Sequence, residues 1–246
     1  MIDIHCHILP GIDDGAVKLS EGAEMCRHAA DSGCKAMIAT PHQRHPKWWN
    51  TDRRHLQALL DQLQRRVGRK PKLYLGAEIR VDRVFLESLD RLTASGVLPM
   101  AGSKYLMLEF ERRQMLVDPV ETALAVIEAG WWPIVAHPEF IPGLREDIGM
   151  AERLIDANAL LQITGASVLG EMGEMPRRCV AALLDRELVH FIASDGHNTD
   201  HRPTELYRPK IAVASKWGRD TAQRLFSDNP RAILENRRIE ARPASE

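Results

Sequence analysis

The stretch MIDIHCHILPGIDDG, residues 1–15, predicts a β-strand whose two faces differ in chemistry, followed by a turn. Side chains of a strand point alternately to opposite faces, with a period of two residues. One face is apolar and suited to packing against helices, and it comprises Ile2, Ile4, Cys6 and Ile8. The other face carries Asp3, His5 and His7, which need polar partners of their own. The turn after the strand contains two adjacent aspartates, Asp13 and Asp14.

The composition indicates a globular domain rather than a nucleic-acid-binding or membrane protein. Of 246 residues, 44% are hydrophobic and 27% are charged, and the formal net charge of −1 gives no bulk attraction to nucleic acid. No apolar run approaches the ~20 residues of a transmembrane helix, and no signal-peptide pattern precedes the first strand. We therefore expect a cytoplasmic protein without membrane insertion, with residues 1–240 as one domain and residues 241–246 as a loose tail.

The cysteines give no sign of a disulfide framework or of a nucleophilic thiol. Four are present, without C-x-x-C spacing, and we expect them to be small buried residues: Cys6, Cys26, Cys34 and Cys179. A cysteine-based tyrosine phosphatase needs an arginine six positions after its nucleophile. Those positions hold Ile12, Ser32, Thr40 and Asp185, which excludes that chemistry.

Seven short apolar runs alternate with helical patterns, which predicts an α/β fold with parallel strands. The predicted strands are Ile2–Ile8, Ala36–Thr40, Leu73–Ile79, Tyr105–Phe110, Ile134–His137, Leu160–Thr164 and His190–Ser194. Such a sheet either closes into a barrel or stays open and doubly wound. No glycine-rich nucleotide-binding fingerprint follows any of these strands, which weakens the nucleotide-binding versions of the open sheet.

Four of the intervening helices have ends that can be read from the sequence. They are predicted over residues 20–33, 51–68, 82–96 and 118–130, and each stops at a glycine. The last is the clearest, because Asp118 is suited to cap its first turn and Pro119 to occupy its first helical position.

Six of the seven predicted strands end in residues that can bind a metal ion. These residues are His5, His7, His42, Glu78, Glu109, His137, Asp195 and His197. In a parallel barrel the carboxyl ends of the strands converge on one face, so we expect these side chains to cluster there. A buried carboxylate without a partner costs several kcal/mol, and divalent cations would satisfy such a cluster.

The mixture of ligands narrows the metal chemistry. Imidazole and carboxylate without thiolate favour manganese, iron(II) or zinc and disfavour a structural zinc site. Five histidines and several carboxylates exceed the needs of one tetrahedral ion, so we expect two or three ions. Metal ions ~3.5–4 Å apart are the arrangement used for in-line displacement at phosphorus.

Six motifs occur in the order of a known family: DIHCHILPGIDDG, ATPHQ, GAEIR, MLEFE, VAHPE and FIASDGHNTDHRP, from the first residues to about position 203. The set resembles the PHP (polymerase and histidinol phosphatase) superfamily. Within it, the early LPGIDDG makes the chain similar to the bacterial manganese-dependent protein-tyrosine phosphatases of capsule and exopolysaccharide synthesis. The His-x-His motif alone is weak evidence for this superfamily, because amidohydrolases share it. The full set of motifs in this order is specific for it.

The resemblance implies a distorted (β/α)7 barrel of the PHP type with three metal ions at the carboxyl ends of the strands. One ion would be held by His5, His7, Glu78 and Asp195. A second would be held by Asp14, His42 and His197. Glu78 would bridge to a third ion, bound also by Glu109 and His137. The resemblance also selects Asp14 over Asp13, which spacing alone does not separate, and it assigns Arg202, Asp14 and Glu109 to catalysis.

The chain departs from the family pattern after the fifth strand. The family usually reads His-Pro-Glu-Arg there, with the arginine on the phosphate, whereas this chain has Phe140 at that position. Phosphate binding should therefore depend on Arg202 and the metal ions, with Phe140 packing against the phenyl ring of phosphotyrosine. Arg145, five residues on, is the candidate to substitute for the absent arginine.

The leading functional hypothesis is a metal-dependent phosphomonoesterase that acts on phosphotyrosine of a bacterial tyrosine autokinase regulating capsule or exopolysaccharide synthesis. One alternative is a small-molecule phosphatase of the histidinol-phosphate type on the same site. An amidohydrolase is a further alternative, but no lysine ends any predicted strand. A catalytically weak regulatory binding protein is the non-enzymatic alternative. The oligomeric state is left open.

Overall fold

The computed structural model describes residues 1–92 and 94–242. Parallel strands form its centre, and all of them are buried on at least one face. The nine strands of the described residues are β1 Ile2–Cys6, β2 Ala36–Ala39, β3 His42–Gln43, β4 Lys72–Leu75, β5 Glu78–Arg80, β6 Tyr105–Glu109, β7 Trp132–Ala136, β8 Leu160–Thr164 and β9 Phe191–Ala193.

The nine strands form seven consecutive positions of a barrel wall. Two residues separate β2 from β3, and two separate β4 from β5, so each pair is one interrupted strand. The first segments of the two interrupted strands pair with the first strand, in the order β1-β2-β4. The second segments pair with the remaining strands, in the order β3-β5-β6-β7-β8-β9, and all of these pairings are parallel. This arrangement matches the predicted sevenfold repeat of strand and helix.

The wall closes between its first and last strands. The backbone N–H of Asp195 donates to the carbonyl oxygen of His5 at 2.9 Å, and that of His7 donates to Gly196 at 2.8 Å. These bonds continue the parallel pairing just beyond β9. The expectation of a closed, irregular barrel is therefore confirmed, and the open doubly wound sheet is excluded.

The helices lie on the outside of the wall. In the described residues they are α1 Leu19–Asp31, α2 Arg53–Val67, α3 Arg83–Leu86, α4 Pro119–Glu128, α5 Pro142–Glu146, α6 Gly149–Asp156, α7 Gly165–Leu169, α8 Glu174–Asp185, α9 Tyr207–Trp217, α10 Arg219–Gln223 and α11 Asn229–Leu234. A π-helical turn, Arg224–Asp228, joins the last two. The predicted cap of α4 is confirmed, because the Asp118 carboxylate accepts from the N–H groups of Val120 and Glu121.

The predicted helix over residues 82–96 is wrong in its length. In the described part of this range, which leaves out residue 93, the helical segments are α3 and a 3-10 turn, Leu89–Arg91. Asp82 caps α3 by accepting from the N–H of Phe85, and the Ser88 hydroxyl then donates to the Phe85 carbonyl. A hydroxyl that bonds a nearby carbonyl competes with continuation of the helix, which explains the early end.

The predicted strand Leu73–Ile79 also differs, because it is interrupted at Gly76 and Ala77. A Cβ atom at Gly76 would lie 2.9 Å from the Ile38 side chain, so the neighbouring strand approaches closely here. The interruption displaces the following segment, and its first residue, Glu78, lies beside His42 in the pairing of β3 with β5.

The polar face of β1 is satisfied inside the barrel. Asp3 is fully buried, and its carboxylate accepts from the Ser194 hydroxyl at 2.5 Å and from the Ser194 N–H at 3.1 Å. This pair ties β1 to β9 below the level of His5. Within the described residues, no helix combines the length and the apolar character needed to cross a membrane.

The predicted tail begins with a residue that is held in place. Ala241 is buried, and its carbonyl oxygen accepts from His190 Nε2 at 2.9 Å. His190 Nδ1 in turn accepts from the N–H of Leu161 at 3.1 Å. Residues 243–246 of the predicted tail lie outside the described residues.

We expect His190 to make folding stability fall in acid. Burial lowers the pKa of His190 to about 4 from an ordinary 6.5. Between these values the unfolded chain binds a proton that the folded chain does not, so stability is present above pH 6.5 and is lost as pH falls to about 4. Each tenfold change in proton affinity corresponds to about 1.4 kcal/mol, so the free energy of unfolding should fall by on the order of 3 kcal/mol over this pH range.

Denaturant unfolding at several pH values tests this. His190→Leu should be less stable than the wild type at pH 7, because two backbone groups lose their partner, and should show a flatter decline toward pH 4. His55→Leu, on the exposed face of α2, is the matched control and should keep the wild-type slope. An unchanged slope in His190→Leu would contradict the assignment.

Candidate metal centre

Nine potential metal ligands meet at the carboxyl ends of the strands. They are the nine residues predicted from the sequence: His5, His7, Asp14, His42, Glu78, Glu109, His137, Asp195 and His197. Their ligand atoms form overlapping groups in which every atom lies within 4.8 Å of the others. The groups are His7, Asp14, His42 and His197; His5, Glu78 and His137; His5, His7 and Asp195; and His42, Glu78 and Glu109.

Glu78 occupies the centre of the cluster, and its two oxygens face different neighbours. Oε1 lies 2.6 Å from His137 Nε2. Oε2 lies 3.3 Å from His5 Nε2, 3.3 Å from His7 Nε2 and 3.1 Å from His42 Nδ1. A carboxylate placed in this way can bridge two cations, one on each oxygen.

Three of the histidines are oriented by bonds on the far side of the ring. The partners of Nδ1 are Gln162 Oε1 for His5, Asp13 Oδ2 for His7 and the backbone oxygen of Asp195 for His197, each at 2.8 Å. With Nδ1 assigned as the donor, Nε2 of each ring keeps its lone pair and points into the cluster. The Nε2 atoms of His5 and His7 are 3.4 Å apart, so a cation between them would relieve the repulsion of their lone pairs.

The two adjacent aspartates have different partners. Asp13 accepts from His7 and from the backbone N–H of His42, at 3.2 Å, and is therefore turned away from the cluster. Asp14 Oδ1 lies 3.4 Å from the Nε2 atoms of both His42 and His197. This geometry favours Asp14 as the ligand and Asp13 as the residue that orients His7.

The glycine after the aspartates fixes this loop against β1. A Cβ atom on Gly15 would collide with the carbonyl oxygen of His7. That oxygen accepts from the N–H of Ala16 at 3.0 Å. Only glycine permits the approach, which brings the Asp14 side chain over the carboxyl end of the first strand.

Sequence analysis missed three residues that support the cluster. Gln162 is a polar residue inside an otherwise apolar strand, and that was its available signal. Asp13 was visible as one of two aspartates but could not be separated from its neighbour. Arg80 ends the GAEIR motif, and its guanidinium lies 3.2 Å from Glu109 Oε1 while also pairing with Glu111. The pair between Arg80 and Glu109 holds the Glu109 carboxylate toward the cluster.

The carboxylates of the cluster have opposite pKa shifts. Burial opposes the charge of Glu78, but its interactions with His5, His42 and His137 hold the Glu78 pKa well below its ordinary range. Burial raises the pKa of Glu109 to about 7, and the negative charge of Glu78 adds to this effect. Two acidic groups so close together need more positive charge than the histidines supply, and a divalent cation supplies it.

Among the residues that the structure describes, two buried polar atoms of the cluster have no hydrogen-bond partner with suitable geometry, His42 Nδ1 and Glu109 Oε2. An unsatisfied buried acceptor costs about 1–3 kcal/mol, more when it is charged. Both atoms belong to one candidate ligand group together with Glu78. The donor set therefore fits a divalent cation, because hard carboxylate oxygens and imidazole nitrogens converge without thiolates.

The backbone is strained where two of the potential ligands follow their strands. His137 has a φ of 33° and Asp195 a φ of 52°, both in the left-handed region that side chains other than glycine rarely adopt. Such strain persists only where surrounding contacts enforce it, and it concentrates at functional sites. Here it turns both side chains inward immediately after β7 and β9.

A cavity of about 230 Å³ opens onto the cluster. Its wall includes Glu78, Glu109, Asp14, Asp195, His42 and His197, together with His45, Lys47, Trp48, Arg112 and Arg202. Arg202 Nη2 lies 2.6 Å from Asp195 Oδ2, so this guanidinium is fixed at the edge of the cluster. Arg145 is not among the residues that line the cavity.

Phe140 lies beside the cavity rather than in its wall. Its ring is 5.9 Å from that of His137, centroid to centroid. The guanidinium of Arg112 lies over the ring, with its carbon 4.8 Å from the centroid. A wider groove of about 800 Å³, lined by Leu86, Glu128 and Trp131 among others, contains no residue of the cluster, so size alone does not identify the site.

Comparisons with known proteins identify a family and several similar relatives. A family model described as capsular polysaccharide synthesis, CpsB/CapC, matches residues 1–235. The chain is 32% identical over 209 residues to the putative tyrosine-protein phosphatase CapC of Staphylococcus aureus, covering 84% of this chain and 80% of the relative. It is 30% identical over 246 residues to the tyrosine-protein phosphatase YwqE of Bacillus subtilis, covering 99% of this chain and 95% of the relative.

A solved structure shows the same similarity at the level of the fold. It comes from the crystal structures of YwqE from Bacillus subtilis and CpsB from Streptococcus pneumoniae, described as unique metal-dependent tyrosine phosphatases. The TM-score is 0.89 at 29% sequence identity, and the match covers 97% of this chain and 96% of the other.

Proposed function

The chain belongs to the CpsB/CapC family of capsular polysaccharide synthesis, and on this premise we propose that it is a metal-dependent protein-tyrosine phosphatase. The observation that carries the proposal is the cluster of nine potential ligands at the carboxyl ends of the strands, six of which line one cavity together with Arg202. Relatives named tyrosine-protein phosphatases match across most of the chain and support the same activity.

The resident metal we propose is manganese, as two or three ions, with iron(II) and zinc as the alternatives that the ligand types also allow. The nine residues of the cluster would hold them, with Glu78 at its centre. When bound, the ions would supply an activated water and neutralise the developing charge on the phosphoryl oxygens.

The protein's own residues orient the substrate and the ligands. Arg202, held by Asp195, would donate to the phosphoryl oxygens. Asp14 and Glu109 face the cavity and would keep the ions at its floor. In the reaction a bond forms between water oxygen and phosphorus, and the bond from phosphorus to the tyrosine oxygen breaks. The leaving phenolate, with a pKa of ~10, needs little protonation by the enzyme.

The substrate we propose is the phosphotyrosine of a bacterial tyrosine kinase that acts in capsule or exopolysaccharide synthesis. The family's role in capsular polysaccharide synthesis supports this partner. A phosphatase for small molecules of the histidinol-phosphate type would use the same residues, and rates on the two substrates separate these possibilities. A cytoplasmic location stays a prediction.

We expect thiol reagents to leave the activity intact. All four cysteines are buried, and burial raises the pKa of Cys26, Cys34 and Cys179 to about 12. Such thiols are protonated at pH 7 and are poor nucleophiles. Native protein treated with iodoacetamide should keep its rate on a phosphotyrosine peptide, and denatured protein labelled in parallel should show that the reagent is active. Loss of activity with the metal content unchanged would contradict a metal-based mechanism.

A further inference from the structure

Two neighbouring loops at the carboxyl end of the barrel are joined by a cation–π contact. Arg112 follows β6, and Phe140 ends the 3-10 turn Pro138–Phe140 that follows β7. The guanidinium carbon of Arg112 lies 4.8 Å from the centroid of the Phe140 ring. The Phe140 N–H donates to the His137 carbonyl at 3.0 Å, which fixes the turn that carries the ring. The contact therefore ties Arg112 to a turn that begins at a potential metal ligand.

Arg112 differs from Arg80 and Arg202 because no carboxylate among the described residues forms an ion pair with its guanidinium. Arg80 pairs with Glu109, and Arg202 pairs with Asp195. For the guanidinium of Arg112, the described residues contain no ion pair and no hydrogen bond within normal distances; its backbone N–H alone bonds Glu111. Yet the side chain lines the 230 Å³ cavity. Its five N–H donors are thus available to a ligand in that cavity.

An anion is the ligand chemistry that these observations favour. Guanidinium groups present a planar fork that matches two phosphoryl oxygens, and stacking on an aromatic ring holds the fork in place without using its donors. Stacking on the Phe140 face leaves the edges of the guanidinium free. A phosphomonoester carries about two negative charges near pH 7 and has several acceptor oxygens. It can therefore bind a second guanidinium in addition to Arg202 and the metal ions.

We propose that Arg112 binds the phosphoryl group of the substrate together with Arg202, and that Phe140 is the positioning residue that holds Arg112 at the cavity. The proposal rests on the phosphatase function proposed above. It replaces two expectations from the sequence, because the Phe140 face carries Arg112 rather than standing free for a phenyl ring, and Arg145 lies outside the cavity wall.

The direct test measures binding of inorganic phosphate to the manganese-loaded protein by isothermal titration calorimetry. Arg112→Ala should weaken phosphate binding by about 10–100-fold, in the range of a lost charge-assisted contact. Arg112→Lys keeps the charge but loses the planar fork of donors, so its phosphate affinity should lie between those of the wild type and Arg112→Ala. Arg113→Ala is the matched control, because Arg113 is the adjacent arginine and does not line the cavity.

The role of Phe140 is tested by rescue and by a double-mutant cycle. Phe140→Ala should weaken phosphate binding by about 3–10-fold through loss of the stack, and Phe140→Trp should restore it. In an Arg112→Ala background, Phe140→Ala should have no further effect on phosphate affinity. A merely structural role would give the same loss in both backgrounds.

The outcomes separate this proposal from the phosphatase function. Phosphate binding that is equally tight in Arg112→Ala and Arg113→Ala would overturn the proposal, as would a wild type that binds no phosphate. A wild type that binds phosphate through Arg112 but hydrolyses no phosphotyrosine peptide would support the anion site and would contradict the phosphatase function instead.

Discussion

Replacing Glu78 by alanine is expected to remove at least one metal ion per chain and to lower kcat/KM on a phosphotyrosine peptide by more than ~10³-fold. The carboxylate is buried, and its oxygens lie 2.6 Å from His137 and 3.1–3.3 Å from three further histidines. As a proposed ligand of the metal ions, Glu78 would support charge stabilisation worth several kcal/mol in the transition state, and its loss would remove that stabilisation.

Two further variants make the Glu78 experiment decisive. Glu78→Gln keeps the shape of the side chain but removes its charge, and it should also lower the metal content. Because glutamine leaves no cavity, this variant separates loss of metal from any folding defect of the alanine variant. Glu174→Ala is the control, because Glu174 is a surface carboxylate that pairs with Arg177 and Arg178, far from the cluster in the chain. Full metal occupancy in both Glu78 variants, measured by elemental analysis, would remove Glu78 from the ligand set.

Arg202→Ala is expected to cost about 2–4 kcal/mol in kcat/KM, which is the range for losing a charge-assisted catalytic contact. The guanidinium lines the cavity and donates to Asp195 at 2.6 Å, so it is held at the place where a phosphoryl group in the cavity would contact it. Arg202→Lys should recover part of the loss, because the charge stays but the planar fork is lost.

The metal content must be measured alongside, because Arg202 contacts a potential ligand. We expect Arg202→Ala to retain its ions, since Asp195 keeps its contacts with His5 and His197. Arg178→Ala, on the exposed face of α8, is the matched control. An Arg202→Ala protein as fast as the wild type, with full metal, would show that the phosphate is held elsewhere.

Much of the barrel could be predicted because parallel strands covered by helices produce a clear pattern of hydrophobic residues in the sequence. Most of the strands are buried on both faces and are therefore short apolar runs, and several are followed by a helix with a capping residue or a terminal glycine. The potential ligands were visible for a related reason. A histidine or carboxylate at the end of an apolar strand has no place in a core unless a partner is present.

What the sequence could not supply depends on contacts between distant segments. Asp13 and Asp14 are equivalent in spacing, and only the positions of His7 and His42 distinguish them. The break at Gly76 follows from the close approach of Ile38 in another strand. The stacking of Arg112 on Phe140 joins residues from two loops, and neither residue alone has a pattern that predicts it.

The most direct test of the central claim measures metal content and hydrolysis together on one purified sample. The protein is stripped with a chelator and reloaded with manganese, and it is then assayed on a phosphotyrosine peptide and on histidinol phosphate. We predict that stripping abolishes the activity, that two or three manganese ions per chain restore it, and that kcat/KM is higher for the phosphotyrosine peptide. Undiminished hydrolysis by the metal-free protein, or a higher kcat/KM for histidinol phosphate, would contradict a metal-dependent tyrosine phosphatase.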